Sequence, residues 1–207
     1  MLNESLRHQA AGSACPRTFE LGIVVGSTRP GRKGAAVAQW ALEVTGAHTR
    51  CSVSPVRITL LDLADFGLPL LDEPVPAAMG APTKDHTRRW AAAVGACDGF
   101  VFVTPEYNHS LPAALKNAID FVCTEWHDKA AGLLGYGVAG GVRAVEHLRQ
   151  ILAEVRVADV RTAVALSLYD DFAGDCPAPR AHQHVQLRQM VDEVIAWSGA
   201  LSSLRRR

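Results

Sequence analysis

The sequence predicts an α/β fold, a doubly wound parallel sheet with helices on both faces. Two observations carry that expectation: short continuous apolar runs that end in glycine-containing turns, and amphipathic helical stretches that alternate with them. A third supports it, because 207 residues with 48% hydrophobic and 20% charged side chains suit a domain with one sizeable core.

The element order follows from periodicity. Leu21 to Ser27 reads Leu-Gly-Ile-Val-Val-Gly-Ser, as a first strand buried on both faces would. From Gly34 to about Val44, Ala35, Ala38, Ala41, Leu42 and Thr45 fall at helical spacing before Gly46 closes the pattern. Val56 to Leu60 alternates apolar and polar with period two, which suits an edge strand. The Pro-rich segment Gly67 to Pro82 is expected to be a long loop, and Thr83 to Ala96 a helix. Gly99 to Thr104 is a second continuous apolar strand, ended by Pro105. Ser110 is the expected N-cap of a third helix, with Pro112 in its first turn and Leu111, Leu115, Ala118, Ile119 and Val122 along one stripe. Gly132-Leu133-Leu134 runs into a glycine turn at Gly135-Tyr136-Gly137. A fourth helix carries Val145, Leu148, Leu152 and Val155, a last strand lies near Val160 to Leu166, and a final helix carries Leu187, Met190, Val191, Val194, Trp197 and Leu201. Strands alternating with helices require right-handed crossovers and a parallel sheet. Such sheets bind ligands beyond the carboxyl ends of their strands, so the loops after strands one, three and four are the expected site.

Charge and composition exclude several classes. Twenty-one Lys and Arg balance 21 Asp and Glu, so nothing points to nucleic acid or an anionic membrane surface. No apolar run approaches the roughly 20 residues of a membrane-spanning helix. Met1 to Pro16 carries Glu4, Arg7, His8 and Gln9 in place of an apolar h-region. A secretory signal is therefore not expected, and residues 1–18 read as a flexible leader before one domain at 19–207. Five widely spaced cysteines, Cys15, Cys51, Cys97, Cys123 and Cys176, form neither a C-x-x-C nor a zinc pattern, which suits reduced thiols in the cytoplasm. Asp62, Asp65, Asp72 and Glu73 flank the second strand and its loop, with no metal site expected there.

The first loop, Gly26-Ser27-Thr28-Arg29-Pro30-Gly31-Arg32-Lys33-Gly34, sets hydroxyls, cations and glycines at the start of a helix. That composition suits an anion: backbone N–H groups and the helix dipole favour a phosphate, Ser27 and Thr28 can donate to it, and Arg29 or Arg32 can grip it as a fork. A solvated basic turn is the alternative. Gly26 and Gly31 have the spacing of a mononucleotide P-loop, but Arg32-Lys33 stands where Lys-Ser/Thr is needed. The dinucleotide fingerprint Gly-x-Gly-x-x-Gly is absent as well. A cofactor bearing one phosphate fits better. In the second loop, Thr104 to Pro112, Pro105 fixes one backbone angle and Asn108 tolerates unusual ones, making a turn of exposed amides beside the aromatic face of Tyr107. A flat heteroaromatic ring would be satisfied there. The third loop, Gly135 to Gly141, has four glycines in seven residues, which permit close backbone approach.

These three segments resemble the NADPH-dependent FMN reductase family of flavodoxin-like flavoproteins, which includes quinone, azo-dye and chromate reductases. The resemblance covers roughly Leu21 to Val164. It rests on Gly26 to Arg32, on Pro105-Glu106-Tyr107-Asn108-x-Ser110-x-Pro112 followed by Leu115-Lys116-Asn117-Ala118-Ile119-Asp120, and on Tyr136-Gly137 with Gly140-Gly141. It implies a five-stranded sheet in the order 2-1-3-4-5 and FMN as the cofactor. The phosphate would lie at Ser27, Thr28, Arg29 and Arg32, and the isoalloxazine edge at Pro105, Glu106, Tyr107, Asn108 and Ser110. Tyr136, Gly137 and Gly140 would close around the ring. Many relatives have Ser and Asn where Arg32 and Gly34 stand here, and Gly where Ala113 stands.

If FMN is bound, NADPH or NADH delivers hydride to the flavin and a small acceptor removes two electrons, so no catalytic side chain is assigned. His109 reads as a pocket wall or surface residue, Glu106 as a turn-stabilising carboxylate, and Lys116 with Asp120 as a solvated i,i+4 pair. Trp126 and His127 either complete a partner's site or cap the core. The resemblance implies a homodimer or homotetramer built on the third and fourth helices. The alternative function is a flavodoxin-like electron carrier without an NAD(P)H site, against which the neutral charge weighs.

Overall fold

The structure is a computed structural model that describes residues 17–50 and 55–205. The expected leader falls mostly outside the described residues, as do Cys15, Cys51, Arg206 and Arg207.

Five strands, β1 (Phe19–Val25), β2 (Val56–Asp62), β3 (Gly99–Pro105), β4 (Lys129–Gly137) and β5 (Val157–Ser167), form one parallel sheet in the order β2-β1-β3-β4-β5. The helices are α1 (Gly34–Thr49), α2 (Leu63–Phe66), α3 (Asp85–Ala96), α4 (Ala113–Asp120), α5 (Val142–Glu154) and α6 (Ala181–Arg205). Between β5 and α6 a small antiparallel hairpin pairs β6 (Phe172–Ala173) with β7 (Cys176–Pro177).

Strand alternation sorts the apolar residues onto two faces. Val24, Phe100, Phe102 and Leu133 face α3, α4 and α5, where Trp90, Leu115, Ile119, Leu148 and Leu152 meet them. Leu21, Ile23, Val25, Val101, Val103 and Leu134 face α1 and α6, against Val37, Trp40, Leu187, Met190, Val191 and Val194. Burial of both faces is why β1, β3 and β4 are continuous apolar runs, while β2 at the edge stays half solvated.

Several boundaries differ from the periodicity. Helix α1 continues through Gly46 to Thr49. A glycine inside a helix costs only about 1 kcal/mol, and Thr49 remains buried beyond it. Strand β4 begins earlier and carries Gly135 to Gly137, which sequence alone makes a turn. Those residues pair with Thr104 and Pro105 on one side and with Ala165 to Ser167 on the other, and two ladders override glycine's weak strand preference. Ser110 does not cap α4; Pro112 holds that position without a side-chain cap. The short helix α2 and the hairpin are too brief to leave a periodic trace. Trp126 is fully buried, its indole N–H donating to Ile119 O at 3.2 Å and its ring 5.0 Å from Phe100, so it belongs to the core.

Asp171 fastens the end of β5 to α6. Its side chain is 1% exposed and accepts hydrogen bonds from Ser167 N at 2.7 Å, Gln183 Nε2 at 2.8 Å and Arg180 Nε at 2.8 Å. Burial pushes its carboxyl up, but the bonds from Gln183, Ser167 and Arg180 outweigh that and hold it below the usual range.

A group with a depressed folded pKa contributes stability at neutral pH that is lost as pH falls through the acid range. Asp171→Ala should therefore cost roughly 2–4 kcal/mol in urea unfolding at pH 7, with the gap to wild type narrowing steadily toward acid pH. At Gly141, φ is 73° and a Cβ would stand 2.6 Å from Tyr136 N, whereas Gly199 in α6 has open space around it. Gly141→Ala should destabilise by more than about 2 kcal/mol, and Gly199→Ala should stabilise by roughly 0.5–1 kcal/mol.

Candidate functional site

Parallel pairing sets Val25 beside Val103 and Val103 beside Leu134, so the loops after β1, β3 and β4 leave the sheet side by side. They enclose a cavity of about 250 Å³ lined by Arg29, Gly31, Arg32, Lys33, Pro105, Glu106, Tyr107, Tyr136, Gly137 and Leu168.

The first loop is pinned at its root by Gly26 N donating to Val103 O at 2.9 Å. Ser27 is fully buried and shares a 2.8 Å hydrogen bond with the Tyr107 hydroxyl, which ties the first loop to the second. Thr28 and Arg29 are exposed. The three cations differ in their surroundings. Arg32 pairs with Asp62, which also caps α2 through Ala64 N. Lys33 donates to Gly174 O at 2.7 Å and Asp175 Oδ1 at 2.6 Å, with its ammonium 5.4 Å from the Phe172 ring centre. Arg29 has no ion pair among the described residues. Helix α1 then starts with no side-chain cap and no acidic residue in its first turn.

The second loop is a tight turn. Tyr107 N donates to Ser110 O at 2.9 Å and Ser110 N to Tyr107 O at 3.1 Å, with Asn108 at φ 50° and His109 at φ 75°. Two successive positive φ values form an I′-like turn, which asparagine tolerates better than histidine does. Asn108 and His109 are exposed at its tip. The Ser110 hydroxyl turns away from the cavity to His147 Nδ1 at 2.9 Å. Glu106 donates its backbone N–H to Tyr136 O at 3.0 Å, and its carboxylate accepts from Arg143 N at 3.1 Å and Arg143 Nε at 2.6 Å. Burial pushes the Glu106 carboxyl up, and the Arg143 contacts more than reverse that.

The third loop approaches its own strand. A Cβ at Gly135 would stand 2.8 Å from Gly140 O, so the chain can fold back there only with glycine. Gly140, at φ 72°, is not among the lining residues and packs against β5, where a Cβ would stand 3.0 Å from Ala165 Cβ. Tyr136 is 4% exposed and lines the cavity. Its hydroxyl, raised above the ordinary tyrosine range by burial, approaches the Gly34 backbone without good hydrogen-bond geometry.

Of the residues read from sequence, Arg29, Arg32, Pro105, Glu106, Tyr107, Tyr136 and Gly137 share this cavity. Ser27 and Gly140 are buried and outside its lining, Thr28 and Asn108 lie exposed on its loops, and the Ser110 hydroxyl turns to His147. Sequence reasoning missed Lys33 and Leu168. The carboxyl-edge rule extended to strand five would have pointed to Leu168, whose N–H donates to Gly137 O at 3.0 Å. The Gly67 to Pro82 segment lies over α4, where Leu71 N donates to Asn117 Oδ1 at 2.9 Å, and none of it lines this cavity. Lys116 and Asp120 form the expected pair at 2.6 Å. Among the described residues no group of three His, Cys, Asp or Glu could hold a metal.

A phosphate-bearing flavin fits these residues on three counts. The α1 terminus has no side-chain cap, and Arg29 beside it has no ion pair among the described residues. The buried Arg32 Nε and Tyr136 Oη lack ordinary partners at the cavity. The glycines leave the backbone bare, since a Cβ at Gly34 would meet Tyr136 Oη at 2.7 Å.

The sequence pattern of the family described as NADPH-dependent FMN reductase matches residues 19–171. An NAD(P)H-dependent FMN reductase of Nectria sp is 38% identical over 137 residues, 64% of this chain and 67% of that protein. Another, of Schizosaccharomyces pombe, is 34% identical over 151 residues, 72% of this chain and 73% of that one. Among solved structures, FerB, a flavoenzyme NAD(P)H:(acceptor) oxidoreductase from Paracoccus denitrificans, superposes with a TM-score of 0.67 at 23% identity, covering 88% of this chain and 98% of its own. That likeness shows the fold, and the matched sequence, which takes in all three loops, shows the rest: the chain belongs to the NADPH-dependent FMN reductase family.

Proposed function

We propose that this protein is an FMN-dependent NAD(P)H oxidoreductase passing two electrons to a small acceptor such as a quinone, a flavin, an azo compound or a metal oxyanion. The observation that carries the reading is the convergence of three loops at one sheet edge, with an uncapped helix start beside an unpaired arginine.

In this reading Ser27, Thr28 and Arg29, with the first-turn amides of α1, hold the phosphate of FMN, and Arg32 adds its guanidinium from the Asp62 side. Pro105 to Asn108 supply backbone polarity and the Tyr107 ring along the flavin edge, while Tyr136, Gly137 and Gly140 close the far side. The group so held supplies the electron transfer itself. The chain binds, orients and partly excludes water, and no side chain is assigned as nucleophile or base.

The same reading includes self-association as a homodimer or homotetramer. Support comes from a groove of about 640 Å³ between α4 and α5, floored by Leu111, Ile151 and Val155 and rimmed by charge. It also includes a cytoplasmic location, which free Cys97, Cys123 and Cys176 suit. No helix among the described residues is long and apolar enough to cross a membrane.

The primary test is the absorbance of purified protein between about 300 and 550 nm after FMN addition and desalting, then anaerobic addition of NADPH or NADH. Retained flavin bands that bleach are the expected result. Flavin retained but unreduced by either donor would favour an electron carrier, and no retained flavin on folded protein would remove the cofactor assignment. Arg29→Ala should raise the dissociation constant for FMN by roughly 10- to 100-fold, the loss of one charged hydrogen-bond fork. Riboflavin, which lacks the phosphate, should bind both proteins equally in fluorescence-quenching titrations.

A further inference from the structure

Two of the cations that line the cavity, Arg32 and Lys33, are paired within the chain, and the two pairs are built differently. The Arg32 and Asp62 side chains are only 20% and 18% exposed, and Asp62 also accepts from Ala64 N at 3.1 Å. That pair is enclosed and tied into α2. The Lys33 side chain is 26% exposed, but that of its partner Asp175 is 97% exposed. The same ammonium donates to Gly174 O at 2.7 Å and lies 5.4 Å from the Phe172 ring centre, so the β6–β7 hairpin supplies these contacts. The base of the hairpin is fixed, with Ala178 N donating to Asp171 O at 2.7 Å and the Asp171 side chain buried. Its tip is open: Gly174 turns at φ 63°, and a Cβ there would meet nothing within 4 Å.

An exposed ion pair contributes little, because water competes for both charges. The bond from Lys33 holds the Asp175 carboxyl below the ordinary aspartate range, so the tip carries a full but solvated negative charge at neutral pH. A phosphate dianion in a partly enclosed cavity attracts a neighbouring ammonium more strongly than one solvated carboxylate does. Lysine can respond to that pull, since its ammonium is a point charge with rotatable donors on a flexible stem. The planar fork of Arg32 is committed to Asp62. We propose that Asp175 and a bound phosphate compete for the Lys33 ammonium, so that the hairpin tip sets how tightly the chain holds a phosphate-bearing ligand.

Asp175 lies about 140 residues along the chain from the loop it acts on, and it lines no part of the cavity itself. It is therefore a tuning residue that works through Lys33. The inference rests on the reading that residues 26–34 take the phosphate of FMN, and its test separates the two.

FMN and riboflavin are titrated separately into flavin-free full-length chain at neutral pH and low salt, with quenching of flavin fluorescence as the readout. Asp175→Ala should tighten FMN binding roughly two- to fivefold, the worth of one exposed ion pair, and leave riboflavin unchanged. Asp175→Asn keeps a neutral acceptor and should fall between wild type and Asp175→Ala. Lys33→Met should weaken FMN about tenfold, and adding Asp175→Ala to it should change nothing further. An FMN affinity unmoved by Asp175→Ala would overturn the competition. So would a gain that persists alongside Lys33→Met, which would report only a general change in local charge. In both cases Arg29→Ala would still weaken FMN and spare riboflavin, and the phosphate reading would stand. Equal wild-type affinities for FMN and riboflavin, indifferent to Arg29→Ala, would overturn that reading and the competition with it.

Discussion

The register of three parallel strands is the constraint on which everything at the carboxyl edge depends. Val25, Val103 and Leu134 stand abreast in β1, β3 and β4, and strands in a sheet lie about 4.8 Å apart. Three loops far apart in sequence therefore start within about 10 Å of one another. The register is fixed by burial on both faces: a slip of one residue would exchange the side chains facing α3, α4 and α5 for those facing α1 and α6. The bulky aromatics Phe100 and Phe102 pack on Trp126 on one face only, so the exchange would leave voids on that side and overlap on the other. Core packing far from the cavity thus sets the geometry of its walls.

Charge at the edge is sorted as strictly as apolar surface is. Arg32 is matched by Asp62, Lys33 by Asp175 and Arg143 by Glu106. Each partner comes from a different segment of the chain, namely the end of β2, the hairpin turn and the loop after β3. These pairs tie the loops around the cavity to neighbouring segments and leave Arg29 without an ion pair among the described residues. Isolated surface ion pairs stabilise little, so their effect here is better understood as positional. The Glu106 pair has one largely buried member and joins two loops. It and the Arg32–Asp62 pair, whose side chains are both about four-fifths buried, are screened less by solvent than the Lys33–Asp175 pair.

Much of this was legible in the sequence, for identifiable reasons. Continuous apolar runs fixed β1 and β3 to within a residue or two, and the alternation at Val56 placed the edge strand. Glycine misled twice, at Gly46 and at Gly135 to Gly137, because local preference was outweighed by packing and by pairing on both sides. The loops that line the cavity were singled out from their composition, since amides, cations and glycines after a strand suit a ligand. Partners could not be found that way. Nothing local says that Arg32 meets Asp62, or that Ser110 turns to His147 and leaves Tyr107 to hold Ser27. Those are facts of tertiary distance, and a single sequence contains no measure of it.

The turn at Asn108 and His109 shows how the edge tolerates a locally unfavourable shape. A non-glycine residue in the left-handed region costs on the order of 1 kcal/mol or more, and two occur in succession. Four hydrogen bonds oppose that cost: two between Tyr107 and Ser110 backbones, one from Ser110 to His147, and one between Tyr107 and the buried Ser27. At a net of about 1 kcal/mol each they suffice to hold the turn. Glycine at position 109 would relieve the strain but would also free the turn to adopt other shapes. With histidine there, the tether on either side selects one arrangement of backbone amides. A rigid, slightly strained turn is what a site needs when its contribution is position and polarity, and when no side chain in it carries the chemistry.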